Sequence, residues 1–353
     1  MNTLQRAVRI IKSGFPQRRS RLPQLVIFHI TTRCNLACRH CSDDVWGDPK
    51  NDLTLDEIAK FSTSLGTFES LALGGGEPFL RQDLGEICRL FTINNKVSSI
   101  SIPSNGFAPD KICTAVRSIL TECPDVNINI MLSLDGFQTT HDSIRTSGSY
   151  AKVMETGHLL KTMTVDSPRL SLSFNATINN CNWEELPSLA LFVLDNFRSR
   201  LEFNIISGNP RDGELTAPGR KELEGTIDGL FDGGNKSLLR RMYNQVYRDV
   251  LLKTNFGTHQ VIPCRAGSLV SLIDANGDVR ACSMLPPLGN LRTGTFEEIW
   301  HGELALKQFR SIVNGGCSCN NDCFIRLSLM NYWKLPFLVF KRAINFGNDS
   351  KKV

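Results

Sequence analysis

The constraint that excludes most folds is an alternation. Between Leu25 and Ile206, short apolar runs take turns with amphipathic stretches of helical length. LVIFHIT (Leu25–Thr31) predicts a first strand, and SLALGG from Ser70 a second. SSISIPSNG from Ser98, VNINIMLSLDG from Val126, RLSLSFNATI from Arg169 and LEFNII from Leu201 predict four more. Helices are expected from Asp83, from Pro109, over Tyr150–Met163 and from Trp183. Thr54 and Glu57, in LTLDEIAKFSTSL, have the T-x-x-E spacing of a capping box that opens a helix. Strands alternating with helices of this length indicate βαβ units and a parallel sheet. Periodicity alone leaves an open doubly wound sheet and an incomplete barrel equally available.

The rest of the chain differs in character. Residues 1–22 are a basic segment, and residues 23–207 hold the alternating core. Residues 208–259 are polar and partly helical, and read as a linker. Residues 260–326 are rich in turns, glycine and cysteine, and 327–353 form a basic amphipathic tail. The net charge of +5 is uneven: residues 1–21 hold six basic and no acidic residues, and 334–353 carry +4. That leaves −5 on the body, which argues against a nucleic-acid-binding face on the main domain. No run of about 18 apolar residues offers a membrane span, and no secretory signal is visible. These features point to a cytoplasmic protein.

Twelve cysteines in a long chain of this kind point to metal rather than to disulfides. Cys88, Cys113, Cys123 and Cys181 are scattered and read as buried or part-buried thiols. Cys34, Cys38 and Cys41 are not scattered: TTRCNLACRHC gives C-x3-C-x2-C directly after the first strand. Thiolates are soft ligands suited to zinc, copper(I) or iron–sulfur clusters. Tetrahedral zinc would take a fourth donor. His29 lies within the strand and His40 is wedged between two cysteines, so neither is well placed to supply it. A four-iron cluster on three thiolates instead keeps one iron open.

In this setting the loop resembles the signature of the radical S-adenosylmethionine (radical SAM) superfamily, over about Leu22 to Ser207. The resemblance implies a partial (β/α)6 barrel of the TIM type. It also implies a [4Fe-4S] cluster on Cys34, Cys38 and Cys41, with S-adenosylmethionine on the open iron. By the same resemblance, Gly75, Gly76 and Glu77 of GGGEP hold the cofactor's amino group. Ser104 and Asn105 of PSNG face the same mouth. Ser133 and Asp135 of SLDG match ribose-contacting positions, and Arg145 of HDSIR matches the arginine that pairs with the cofactor carboxylate. A planar, permanently charged guanidinium suits that last role. The implied chemistry is one-electron cleavage of the sulfonium, fed by a donor such as a flavodoxin or ferredoxin. The product is a 5′-deoxyadenosyl radical that abstracts hydrogen from a substrate.

A second cysteine group lies downstream. Asn276-Gly277, between SLVSLI and VRA, is a hairpin signal that folds Cys264 back towards Cys282. CSCNNDC then supplies Cys317, Cys319 and Cys323. This block resembles the SPASM and twitch auxiliary-cluster domains. Five cysteines fall short of the full seven-cysteine pattern, so one auxiliary [4Fe-4S] cluster is expected. Its expected ligands are Cys264, Cys282, Cys319 and Cys323, with Cys317 as the alternative, and a structural zinc site is the rival. The expected substrate is a small molecule, a carbohydrate or a lipid-linked compound. A peptide-modifying maturase is the alternative, set second because only about 22 residues precede the first strand. From a different class, a non-catalytic zinc-binding scaffold at a membrane would also use these cysteines. Leu4, Val8 and Ile11 near one helical face at the start, and NYWKLPFLVFKRAINF near the end, raise peripheral contact with an anionic membrane.

Overall fold

The computed structural model describes residues 22–42, 47–232, 237–257, 259–316 and 321–349. The strands are β1 (Leu25–Thr31), β2 (Ser70–Gly75), β3 (Ser99–Ser104), β4 (Asn127–Ser133), β5 (Leu170–Ile178) and β6 (Leu201–Ile205). Three more follow: β7 (Val270–Ile273), β8 (Asp278–Arg280) and β9 (Gly289–Asn290). They form one sheet in the order β6-β5-β4-β3-β2-β1-β7-β8-β9. Strands β1 to β6 are parallel, each beside its sequence neighbour. That order settles the choice left open by periodicity. A doubly wound sheet reverses direction at a switch point. A sheet that runs 1 to 6 without reversal, with right-handed crossovers, keeps its helices on one face and curls like a barrel. The sheet does not close: β6 and β9 are its edges.

The strands alternate accordingly. Leu71, Leu73, Ile100, Ile102, Ile128, Ile130 and Leu132 are buried in the core. Ser70, Ala72, Ser99, Ser101, Asn127 and Asn129 lie on the opposite face and are mostly half-buried. Under β1, Phe28 meets Phe61 and Phe91 edge-on at 5.5 and 6.0 Å. Each such pair contributes about 0.5–1.5 kcal/mol beyond its area. The helix Leu55–Ser64 is opened by Thr54 and Glu57, whose reciprocal capping bonds are both present.

The cysteine-rich C-terminal part is continuous with the core. β7 runs parallel to β1, and β8 returns antiparallel through a turn in which Gly277 has φ +91°. Asp274 ties the two parts together, bonding Arg280 and lying 3.3 Å from His29 of β1. Arg292 reaches Glu57 at 2.7 Å, and Leu53 donates its N–H to Ala275.

The segment read as a linker holds two helices, Arg220–Asp232 and Leu238–Phe256. The second buries Met242, Val246, Tyr247, Val250 and Leu251. The final helix, Leu335–Asp349, packs against it. No helix among the described residues is long and apolar enough to cross a membrane. The N-terminal stretch with Leu4, Val8 and Ile11 lies outside the described residues.

Candidate active site

The loop carrying Cys34, Cys38 and Cys41 leaves the carboxyl end of β1 and is held from three sides. At its start, Asp52 accepts hydrogen bonds from the hydroxyls of Thr31 (2.8 Å) and Thr32 (2.9 Å) and from the Thr32 N–H. At its end, Arg39 N–H donates to Ile144 O, while Arg211 N–H and Asp212 N–H donate to Cys41 O and Arg39 O. The Arg39 guanidinium closes this clasp on Asp212 at 2.7 Å. Residues just beyond β6 therefore grip a loop that follows β1.

The third side is the GGGEP turn. Gly76 N–H donates to Thr31 O and Glu77 N–H to Arg33 O. A Cβ at Gly75 would lie 2.2 Å from Thr31 O, and one at Gly76 would lie 2.0 Å from Arg33 O. Gly75 also has φ +114°, open to glycine but strained for other residues. The glycines thus let the backbone approach the cysteine loop itself. An amino group needs acceptors, so the carbonyls of this turn, not its N–H groups, suit a cofactor amine.

Glu77 turns inward. Its carboxylate accepts from Asn105 N–H at 2.7 Å, Ser104 Oγ at 3.0 Å and Phe79 N–H at 3.2 Å. Burial pushes it up to about 7 against those three bonds. Ser104 is consumed in this network, since its Oγ also accepts from Gly106 N–H. Asn105 faces the loop: its Nδ2 donates to Asn35 Oδ1 at 2.8 Å and to Cys34 Sγ at 3.9 Å.

Asp135 and Arg145 form the second buried unit. Asp135 is 0% exposed, and its oxygens accept from Thr177 N–H (2.8 Å) and Arg145 Nε (2.6 Å). Here Asp135 holds Arg145 instead of lying open to a ribose; Ser133, at the end of β4, stays half-buried. Arg145 NH1 donates to Cys38 Sγ at 3.9 Å. Burial alone would raise Asp135, but Arg145, His40 and His141 outweigh it and keep it at about 2. The two histidines are contributions that sequence reasoning missed. His141 Nδ1 accepts from Asp135 N–H, and His40 Nδ1 lies 3.7 Å from Asp135 Oδ2 with no hydrogen bond. Burial holds both at about 4, so they are neutral near pH 7. Their signal was TTHDSIR and the lone His between Arg39 and Cys41, neither of which declares a partner by spacing.

The donor set fits an iron–sulfur cluster. Burial raises Cys34, and pushes Cys38 up to about 11 with Arg145 pulling the other way. A desolvated thiolate is costly alone and favoured once bound to a cationic cluster. Two of the three sulfurs already receive N–H donors, the kind of contact that tunes such clusters. His29 is engaged with Asp274, so it supplies no fourth ligand here.

In the C-terminal part, Cys264 and Cys282 are both buried. Each sulfur accepts the N–H two residues on, from Ala266 at 3.5 Å and Met284 at 3.4 Å. Cys323 is the second residue of the helix Asp322–Met330, but its side chain, like Cys317 and Cys319, lies outside the described residues. Cys88, Cys113 and Cys123 are buried as expected. Cys181 is exposed, because it sits in the surface turn closed by its N–H to Asn179 Oδ1.

Residues 28–193 match the radical SAM superfamily, and residues 264–324 match the SPASM iron–sulfur cluster-binding domain. The chain belongs to the radical SAM superfamily: it is an enzyme that uses S-adenosylmethionine and a [4Fe-4S] cluster, and carries an auxiliary iron–sulfur domain. Its curated relatives include the AdoMet-dependent heme synthase of Methanosarcina barkeri, 23% identical over 82% of this chain and 85% of that one. The mycofactocin maturase MftC of Mycobacterium ulcerans is also 23% identical, over 85% and 83%. Among solved structures, Streptococcus suis SuiB bound to S-adenosylmethionine matches with TM-score 0.58 and 15% identity, over 88% of this chain and 72% of that one. The anSMEcpe structure with bound AdoMet and Cp18Cys peptide matches with TM-score 0.59 and 16% identity, over 93% and 99%. At such identities these structures support the fold alone.

Proposed function

We propose that this chain cleaves S-adenosylmethionine reductively and abstracts hydrogen from a small-molecule, carbohydrate or lipid-linked substrate. The reaction takes place in the cytoplasm, where a flavodoxin- or ferredoxin-type donor supplies the electron. The observation that carries this reading is the pair of donors aimed at the cysteine loop after β1, Asn105 Nδ2 to Cys34 Sγ and Arg145 NH1 to Cys38 Sγ. When bound, the cluster and cofactor supply the radical; the protein orients them and excludes water. Cys34, Cys38 and Cys41 would hold the cluster. The carbonyls at Gly75 and Gly76 would receive the cofactor's amino group, and Ser133 would contact its ribose. Glu77 and Ser104 lock that turn from behind. Asp135 is a positioning residue for Arg145, whose guanidinium would pair with the cofactor carboxylate. In the auxiliary domain, Cys264, Cys282, Cys319 and Cys323 would hold one [4Fe-4S] cluster, with Cys317 as the alternative ligand.

A cavity of about 730 Å³ lies at the amino ends of β1 to β5, lined by Leu25, Ser70, Ser99, Asn127, Leu327 and Met330 among others. It sits at the opposite end of the sheet from the cysteine loop, so it is not the seat of hydrogen abstraction, and the substrate class rests on the sequence reading. A peptide is the second reading, favoured by the mycofactocin maturase and by SuiB, which has been solved with its precursor peptide. The test is label transfer. The reduced enzyme is given deuterated candidates of each class, and deuterium is sought in 5′-deoxyadenosine. Transfer from a sugar, a lipid-linked compound or another small molecule supports the first reading; transfer only from a peptide overturns it in favour of the second.

A further inference from the structure

The last helix has the wrong outer face for a surface helix. Leu335–Asp349 packs on Leu238–Phe256 with Leu335, Leu338 and Val339 turned inward, and Arg342 anchors it through an ion pair with Asp249. The opposite face of such a helix is ordinarily polar. Here it carries Phe337 and Phe340, 65% and 63% exposed, and Trp333 just before it is 53% exposed. Phe337 and Phe340, three apart on the helix, share one face, and Trp333 is exposed in the turn that leads into it. Met330, also half-exposed, ends the preceding helix and lines the cavity. Lys334 lies 5.0 Å from the centre of the Trp333 ring, and Lys341 is exposed between the phenylalanines and the anchor. No acidic residue occurs from 331 to 348.

We infer that this face rests on an anionic lipid bilayer, with Trp333, Phe337 and Phe340 in the headgroup boundary and Lys334 and Lys341 against the lipid charge. Aromatic rings with flanking lysines on an otherwise apolar face are the composition of an interfacial helix. Charge complementarity selects this occupant. A second copy of the helix would set lysines against lysines. The segment 1–21, with six basic and no acidic residues, would do the same. An anionic surface neutralises all of them. The bilayer would then lie beside the cavity at the amino ends of the strands, away from the cysteine loop.

The test uses the full chain, reconstituted anaerobically, with vesicles of phosphatidylcholine alone or mixed equally with phosphatidylglycerol. Co-sedimentation with the anionic vesicles at low salt is expected, with little on the neutral ones. Lys334→Ala with Lys341→Ala should weaken binding about 25-fold, each lysine contributing about fivefold. Trp333→Ser, Phe337→Ser and Phe340→Ser together should abolish it; these side chains are exposed, so the fold should persist. A second readout is fluorescence: acyl-brominated anionic lipid should quench Trp333, with Trp333→Phe as the control for Trp46, Trp183 and Trp300. Absence of binding to anionic vesicles, or binding that survives the triple serine variant, overturns the inference. Equally, a concentration-dependent dimer that the triple variant dissolves would assign the face to a second copy.

Discussion

Removing Arg145 should expose how much of the site's order rests on one buried pair. Its Nε meets Asp135 Oδ2 at 2.6 Å, with Asp135 fully buried and the Arg145 side chain 8% exposed. Arg145→Met leaves Asp135 a buried carboxylate with only Thr177 N–H and two neutral histidines beside it. Breaking a buried pair from one side costs about 3–5 kcal/mol. The carboxyl's own displacement has the matching sign: it lies at about 2, below the ordinary 3.8, with Arg145 the largest of the groups that hold it down against burial. Because the folded value is depressed, that part is complete above pH 3.8 and is lost as pH falls towards 2. Asp135→Asn keeps an acceptor for Thr177 and removes the charge, so Arg145→Met with Asp135→Asn should be more stable than Arg145→Met alone. Anaerobic urea unfolding of the four cluster-free proteins at pH 7.5 closes the cycle, with an expected coupling above about 2 kcal/mol. An Arg145→Met cost below about 1 kcal/mol, or an Asp135→Asn effect that merely adds to it, would refute the reasoning.

Other consequences are as direct. Gly76→Ala must push Arg33 O away from 2.0 Å, shifting the loop; cluster content after reconstitution should fall at least tenfold while the far-UV spectrum persists. Glu77 has its carboxyl raised to about 7, so its ionisation opposes folding, and stability should decline between pH 4.5 and 7. Glu77→Gln should flatten that part of the stability–pH curve, and an unchanged slope would assign it elsewhere. Iron analysis should find about eight irons per chain, and about four after Cys34, Cys38 and Cys41 are all changed to Ala. Four irons in the unaltered protein would remove the auxiliary cluster.

The strands were legible because their burial alternates with period two, and β1 and β2 occupy the residues their patterns delimit. The capping box at Thr54 and the turn at Asn276-Gly277 were legible because each depends on a few adjacent residues. What could not be read was long-range pairing. Nothing local says that β7 joins the β1 edge, or that Arg211 and Asp212 hold the cysteine loop 173 residues from Arg39. The segment 208–259 was legible as partly helical, but its polar composition hid the bounds of the two helices at 220–232 and 238–256 and their packing on the core. Side-chain direction was also hidden. Asp135 was legible as an acid at a strand end, but its inward turn depends on Arg145 and Thr177 arriving from other elements.

The most direct test of the central claim is cofactor cleavage by single cysteine variants. The unaltered protein, reconstituted with iron and sulfide and reduced with dithionite, should convert S-adenosylmethionine to 5′-deoxyadenosine and methionine. Cys34→Ala, Cys38→Ala and Cys41→Ala should each abolish that product, while Cys181→Ala should leave it intact. A variant lacking any one of the three that still forms 5′-deoxyadenosine would contradict the assignment.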